Sequence, residues 1–509
     1  MSDTGTQEGG RYIFTEDEIR SVLLGLMLTM ALAALDQTII SVALPTLATD
    51  LQGLDLMAWV VSAYLISAAV VTPVFGKLSD LYGRRITLLS AICLFMLGAA
   101  CAAISQSMWQ LVIARVVQGL GSGGLIAVSQ AAIADVVSPR ERGRYQVYFS
   151  TVHLVSNAVG PLLGGLLTQY LSWRWIFGFN LVLGALAFFA CGKVLTRLPV
   201  PRLKRPIDYP GALLLSAGLT LLLLGLTQIG KAAWPPGPVT AFLFIGAAIL
   251  LACFLVHESY ATEPILPLQL FRLPAVSISY AMLFIAYMQL VALSVLIPMR
   301  AQTVLGLSTS AAALYLMSMT LSGPVGAFLA GKLMAHTGRA KWCQVAGAAF
   351  VATGLSGLGL MDEHPPRLTF ALLMLIGAGV GWQLPTSLVM IQNAVPAGHV
   401  GVATATAAFF RSLGAAIGTA VLAALLVSLL EEKVSSALRA TAGNNVMSLL
   451  IDGSVKALRQ AEQEQLLKAA SEAFRDLFLI SGAFAFVGLC LSLCLPDTKL
   501  SGKDPGSQA

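Results

Sequence analysis

The stretch Gly76-Lys77-Leu78-Ser79-Asp80-Leu81-Tyr82-Gly83-Arg84-Arg85 separates an apolar run at 57–76 from another at 86–105. Each flanking run reaches the roughly 20 apolar residues that cross a bilayer core as a helix. A charged, glycine-marked turn between two spans is therefore the unit from which the chain is read. Further apolar runs lie near 20–44, 108–135, 145–171, 173–195, 209–230, 238–257, 273–303, 308–335, 341–361, 367–394, 400–430 and 474–495, giving fourteen spans. No alternating barrel-strand pattern is present, and a lone segment in lipid closes its backbone hydrogen bonds only as a helix. The fold class is an all-α polytopic membrane protein.

Composition agrees. Of 509 residues, 57% are hydrophobic and 11% charged, against roughly 25% charged in soluble domains. That excludes a soluble enzyme and a single-span receptor. The formal charge of +6 reflects the Lys and Arg that collect in cytoplasmic loops, so no nucleic-acid partner is expected. Cys93, Cys101, Cys191, Cys253, Cys343, Cys490 and Cys494 fall in apolar runs without ligand spacing. They read as small core residues rather than disulfides or metal ligands. Residues 1–19 lack a basic leader with a cleavage site, so the first run is expected to remain and act as its own insertion signal.

Loop charge sets the expected orientation. With the N-terminus inside, the short inside loops hold Lys77, Arg84, Arg85, Arg140, Arg142, Arg144, Lys193, Arg197, Arg202, Lys204, Arg205, Arg272, Lys332, Arg339 and Lys341. The short outside loops then hold Arg174, Lys231, Arg300 and Arg367. Both termini, 1–19 and 496–509, are expected to be cytoplasmic. The long segment 431–473 falls outside, as a surface helix or a solvated hairpin, with room for an envelope adaptor protein that no motif identifies.

The chain also repeats. Gly331-Lys332-Leu333 followed by Gly338-Arg339 reproduces the spacing of Gly76-Lys77-Leu78 and Gly83-Arg84. The expected organisation is a six-helix bundle at 20–195, a basic linker at 196–208, two extra helices at 209–257 and a second six-helix bundle at 273–495. Repeated bundles of this kind build a central site between them.

With these motifs in order, the sequence resembles the major facilitator superfamily, specifically its fourteen-helix drug:proton antiporters. The loop stretch from Gly76 to Arg85 matches the superfamily signature. Leu35-Asp36-Gln37-Thr38-Ile39-Ile40-Ser41-Val42-Ala43-Leu44-Pro45 is similar to the subfamily's first helix. Arg115-Val116-Val117-Gln118-Gly119 in the fourth helix and Gly160-Pro161-Leu162-Leu163-Gly164-Gly165 in the fifth complete the set. The resemblance implies a major facilitator fold of two six-helix bundles plus two linker helices. It also implies proton-driven efflux across the plasma (bacterial inner) membrane, with protons as coupling ion and no other cofactor.

Physical readings stand beside the resemblance. Gly76, Asp80, Gly83, Arg84, Arg85 and Asp135 form a charge cluster that can latch one face shut, paired across the turn and with helix ends. The second copy has Ala335 where Asp80 stands, so its latch is expected to be weaker. By physics alone Gly160, Pro161, Gly164 and Gly165 let helices approach closely. The resemblance implies that they also bend the fifth helix and limit leak. Gly119-Leu120-Gly121-Ser122-Gly123-Gly124 fits a dinucleotide fingerprint, but inside a span it lacks the strand that fingerprint needs. There is no Walker A lysine loop, H-E-x-x-H or G-x-S-x-G.

Three ionisable groups lie deep in spans: Asp36, Arg115 and Arg411. Asp36 and Arg115 each sit about seven residues from the outer end of their runs, roughly 10 Å deep. They are expected to share one cavity and couple proton movement, Asp36 as the acid and Arg115 tuning it. A permanently ionised structural pair is the alternative. Arg411 could line the cavity or anchor packing. Glu258 is expected at a solvated helix end, and His153 in the core. Trp59, Tyr64, Gln118, Tyr287, Gln289, Trp382 and Gln383 are weaker candidates for the substrate wall. With Asp36 ionised the buried charge sums to +1, which favours lipophilic monocations, zwitterions or neutral compounds over dications. A dedicated exporter of one metabolite, lipid or siderophore would carry the same motifs. A sensor or scaffold would not need Asp36 and Arg115.

Overall fold

Runs of Leu, Val, Ile, Ala and Gly without a polar stripe close their backbone bonds as long helices, and the computed structural model shows fourteen α-helices among the residues it describes. It describes residues 16–52, 56–137, 142–198, 208–229, 237–262, 264–307, 309–360, 366–434 and 460–497. The first half comprises α1 (Glu16–Asp50), α2 (Met57–Tyr82), α3 (Arg84–Ala103), α4 (Met108–Val136), α5 (Arg142–Tyr170) and α6 (Arg174–Val194). Next come α7 (Tyr209–Ile229) and α8 (Pro238–Tyr260). The second half comprises α9 (Pro274–Thr303), α10 (Thr309–Thr337), α11 (Lys341–Leu360), α12 (Pro366–Ala394), α13 (Val400–Lys433) and α14 (Gln460–Leu493). No strand occurs among the described residues.

Thirteen helices are long and apolar enough to cross a membrane; α5 is not. Its first half carries Gln146, Ser150, Thr151, His153, Ser156 and Asn157. The α5 helix packs against α1 and against α10 of the other half.

Several boundaries differ from the apolar runs. The α1 helix passes through Pro45 to Asp50, since a proline costs a helix one donor without always ending it. The α2 helix runs to Tyr82, so most of the charged motif is helical and the turn is Gly83 alone, at φ +88°. A side chain is strained at that φ, whereas glycine is not. The α14 helix begins at Gln460, with Leu466, Ala470 and Ala473 buried in the second-half core. Thus 460–473 continues the spanning helix and is not a separate surface helix; 435–459 lies outside the described residues.

The linker helices α7 and α8 pair with each other, and α7 touches both α2 and α13. It lies along one seam between the halves. Glu258 near the end of α8 is buried, not solvated, and accepts a hydrogen bond from the Leu266 amide. Of the cysteines, Cys191 and Cys343 are buried and the other five face outward, so most are lipid-facing rather than core residues.

The glycine run of α4 has a packing role. Gly119 and Gly123 press on the Tyr64 and Ala68 carbonyls of α2, while Gly121 and Gly124 press on Phe95 and Ala91 of α3. One helix thereby approaches two neighbours at backbone distance.

Candidate functional site

The middle of α1 delivers Asp36 into a fully buried polar cluster. The Arg115 Nη1 of α4 donates to Asp36 Oδ2 at 2.7 Å and to Gln118 Oε1 at 2.7 Å. Gln118 Nε2 donates to Asp36 Oδ1 at 2.9 Å, and Asn180 Nδ2 of α6 donates to the same oxygen at 2.6 Å. Arg115 Nε reaches the Val60 carbonyl of α2, and its guanidinium lies 4.0 Å over the Tyr64 ring. The Tyr64 hydroxyl donates to Ser122 Oγ at 2.6 Å. Asp36 and Arg115 are 0% and 1% exposed, so removing either partner leaves an uncompensated charge in low dielectric.

The sequence reading placed Tyr64 and Gln118 on the substrate wall; they belong to this cluster instead. It missed Asn180 altogether. An uncharged amide in an apolar helix carries no cost large enough to stand out, and its signal is a buried neighbour on another helix.

Two or three residues beyond Asp36, α5 closes on α1. Neither Gly160 nor Gly164 leaves room for a Cβ, the first against Thr38 Oγ1 and the second against the Ile39 carbonyl. Thr38 Oγ1 also donates to the Ser156 carbonyl at 3.1 Å. Gly165 faces open space. The side chains of Pro161 and His153 lie outside the described residues.

At the end of the bundle that carries Gly83, Arg84 is buried between two acids. Its Nη1 donates to Asp80 Oδ1 at 2.6 Å and its Nε to Asp135 Oδ2 at 2.7 Å. Asp80 in turn accepts the amides of Gly401 at 2.9 Å and Val402 at 2.7 Å. Those amides open α13, so an anion of the first half caps a helix N-terminus of the second, where unpaired N–H groups and the helix dipole favour it. Gly76 lets the helices meet, with Ala405 against its Cα. Gln392 Nε2 crosses the same seam to the Gln130 carbonyl at 3.3 Å. Arg85 stands apart, donating to the Gly192 carbonyl of α6. In the second copy of the motif Arg339 bonds Asp497, half exposed, at 3.3 Å.

Between the halves lies a cavity of about 960 Å³. Its wall draws on Gln37, Ser62, Gln130, Tyr287, Arg411 and Thr419 among mostly apolar and small residues. Of the expected wall residues, Tyr287 and Arg411 line it. Gln289 is buried and donates to the Ser481 carbonyl of α14. Trp382 packs edge-on against Phe350, Gln383 is buried beside Gly347, and Trp59 packs in the first-half core. These three and Gln289 do not line the cavity. Asp36 and Arg115 bond each other but sit behind its wall rather than on it.

Comparison with known proteins places this geometry. Residues 26–419 match the Major Facilitator Superfamily. An uncharacterized MFS-type transporter of Mycobacterium tuberculosis is 33% identical over 486 residues, covering 94% of this chain and 70% of the relative. Multidrug resistance protein 3 of Bacillus subtilis is 28% identical, covering 90% and 92%. The proton:xylose symporter XylE shares the fold at a TM-score of 0.62 and 17% identity, over 96% of this chain and 98% of that one. This chain is a multi-pass membrane transporter and belongs to the major facilitator superfamily.

Proposed function

We propose that the protein is a proton-coupled efflux antiporter that exports lipophilic compounds by alternating access, with both termini in the cytoplasm of a bacterial inner membrane. The observation that carries this reading is the buried Asp36–Arg115–Gln118–Asn180 cluster beside a large, mostly apolar cavity. The multidrug name of a relative at 28% identity supports the efflux direction.

The geometry supplies a route for the coupling. Asp36 Oδ1 already accepts two amide donors, so an incoming proton finds its place on Oδ2, where Arg115 now donates. A protonated Oδ2 repels that donor, and Arg115 loses its counter-charge. Arg115 also holds α2 through the Val60 carbonyl and the Tyr64 ring. From Tyr64 to Asp80 the same helix runs roughly 24 Å at 1.5 Å per residue, so protonation at one end bears on the latch at the other. In the proposed orientation the latched end is cytoplasmic and the cavity is closed to the cytoplasm. Substrate leaves, a proton reaches Asp36, Asp80 releases α13, and the proton departs inward as substrate enters.

A wall without an Asp or Glu side chain among its described residues gives a dication little to neutralise it. Purified protein in liposomes with an imposed pH gradient tests the reading against a panel of lipophilic dyes. Gradient-driven movement in wild type that disappears in Asp36→Asn is the expected outcome. Movement undiminished in Asp36→Asn would remove Asp36 as the coupling acid, and a wild type that moves no dye would remove the multidrug reading.

A further inference from the structure

We infer that the central cavity selects lipophilic compounds bearing a single anionic group, and that Arg411 is the residue that binds that group. The inference rests on the cavity being the substrate chamber and narrows the substrate beyond the absence of dications.

Three observations carry it. The first is an imbalance of charge on the wall. Among the described residues, Arg411 is its one charged side chain, and the thirty that line it include no Asp, Glu or Lys. The second is that Arg411 has no carboxylate partner among the described residues. Its guanidinium lies 4.8 Å over the Tyr287 ring, and its buried Nε has no hydrogen-bond partner. Arg84 and Arg115, in contrast, are each bonded to one or two acids. A cation within the membrane is costly and is ordinarily paired, so Arg411 holds unspent donor capacity in a site of low dielectric. The third is access. Arg300 also lacks a carboxylate and lies over Phe478, yet it borders a crevice of about 10 Å³. Arg411 borders one of about 960 Å³, at the upper end of the range that holds drug-sized ligands.

The chemistry follows from the guanidinium. Its planar fork matches a carboxylate, sulfonate or phosphate through two parallel N–H donors, and Tyr287 holds the fork against its own ring. The remaining wall, rich in Leu, Val, Ala, Gly and Met, takes the apolar body of the ligand. An acid entering this site supplies the counter-charge that the protein leaves out. A cation entering it faces like charge without a compensating acid, so charge, more than shape, separates substrates.

Two xanthene dyes sharing a ring system test this: fluorescein methyl ester, an anion above neutral pH, and rhodamine 123, a cation. Fluorescence anisotropy on the detergent-purified full chain reads binding. Wild type is expected to bind the anion at least tenfold more tightly than the cation. Arg411→Gln should weaken the anion at least tenfold and leave the cation unweakened or tighter, while Arg411→Lys keeps part of the preference. Ala415→Glu, one turn along α13, neutralises the arginine without removing it and should give the same loss, which guards against a Gln variant that fails to fold. Tighter binding of rhodamine 123 by wild type, or equal weakening of both dyes in the variants, would overturn the inference. Gradient-driven movement in liposomes reads transport separately. Anion-selective binding without movement would remove the exporter reading and leave the selectivity. Equal binding with movement of both dyes would remove the selectivity and leave the exporter.

Discussion

In the first half α4 presses Gly119 against the Tyr64 carbonyl of α2; in the second α12 presses Gly377 against the Met319 carbonyl of α10. One turn further, Gly123 meets Ala68 and Gly381 meets Gly323 in the same way. The two helix pairs thus repeat one another at backbone distance, and residues can be matched by counting from the glycines. Four residues before Gly119 stands Arg115; four before Gly377 stands Leu373. Gln118 is matched by Ile376, and Tyr64 by Met319. All three replacements are buried in an apolar core. The same scaffold therefore holds a charged network in one half and hydrocarbon in the other. Backbone packing does not require the charges. Burial of an ion pair is weak evidence for stability and often gives no more than apolar packing would, which agrees with the coupling role proposed for the network.

The largest expected effect comes from making the first half resemble the second. Arg115→Leu alone leaves Asp36 buried without its counter-charge and should cost about 3–5 kcal/mol of stability. Adding Asp36→Asn removes the stranded charge and should recover most of that loss in a thermal melt, while gradient-driven transport stays absent. A single Arg115→Leu variant as stable as wild type would break the comparison, because the network would then be as dispensable to folding one partner at a time as it is in pairs.

The latch offers a second contrast. Asp80 accepts two α13 amides and Arg84, whereas its counterpart is an alanine, Ala335, with no carboxylate, and Arg339 turns outward to Asp497. Hydrogen bonds to a charged group are worth roughly 1.5–3 kcal/mol. Asp80→Ala should therefore lower transport by about tenfold or more, each 1.4 kcal/mol being a factor of ten. Faster alkylation of a cysteine introduced at Gln130 would report the opened seam. Ala335→Asp should leave transport within about twofold, since Arg339 there already bonds Asp497; a large gain would show the second turn to be a latent latch.

A smaller effect separates two glycines of α5. A methyl group at Gly160 collides with Thr38 Oγ1, next to Asp36, while one at Gly165 meets open space. Gly160→Ala should lose about 1–3 kcal/mol by overpacking, and Gly165→Ala should stay within about 0.5 kcal/mol of wild type. Equal melting temperatures for the two variants would show that α1 and α5 separate at little cost.

What was legible in the sequence follows the size of each energetic signal. Long apolar runs and the cost of charge in lipid exposed the helices, Asp36, Arg115 and the Asp80–Arg84 turn. Asn180, and the true place of Tyr64 and Gln118, were not legible, because a neutral polar group in an apolar helix is tolerable alone and acquires meaning from a partner on another helix. Gln289 and Trp382 misled for the same reason: each is a polar-tipped side chain satisfied or packed inside one half. The cavity wall is built largely of Gly, Pro, Ala and Leu, which are indistinguishable by composition from packing residues. Helix ends were blurred where a proline at 45 sits inside a helix and where 460–473 mixes charge with buried Leu and Ala.

The smallest expected effect lies at the end of the molecule opposite the latch, where each half ties down an exposed corner with charge. In the second half Lys433 at the close of α13 bonds Asp476 of α14 at 2.7 Å. In the first, Asp50 at the close of α1 accepts the Trp173 indole N–H at 2.7 Å and Arg174 Nη1 at 3.2 Å. Arg174 also reaches the Ser105 carbonyl and stacks 4.1 Å over the Trp173 ring. The indole bond first, and Arg174 after it, hold the Asp50 carboxyl below the usual carboxylate range. A carboxyl depressed on folding stabilises the native state above its unfolded value near 3.9. That contribution fades as pH falls through the lower folded value. Both charged partners are partly exposed, so the clasp is worth under about 1 kcal/mol. Asp50→Asn should therefore melt slightly below wild type at pH 7, and the gap should close as the pH is lowered below about 4. Trp173 fluorescence should report the same titration in wild type and lose it in the variant. A gap that widens in acid would mean that Asp50 is held by its protonated form, and that this corner, unlike its counterpart at Lys433, is not an ion-pair clasp at all.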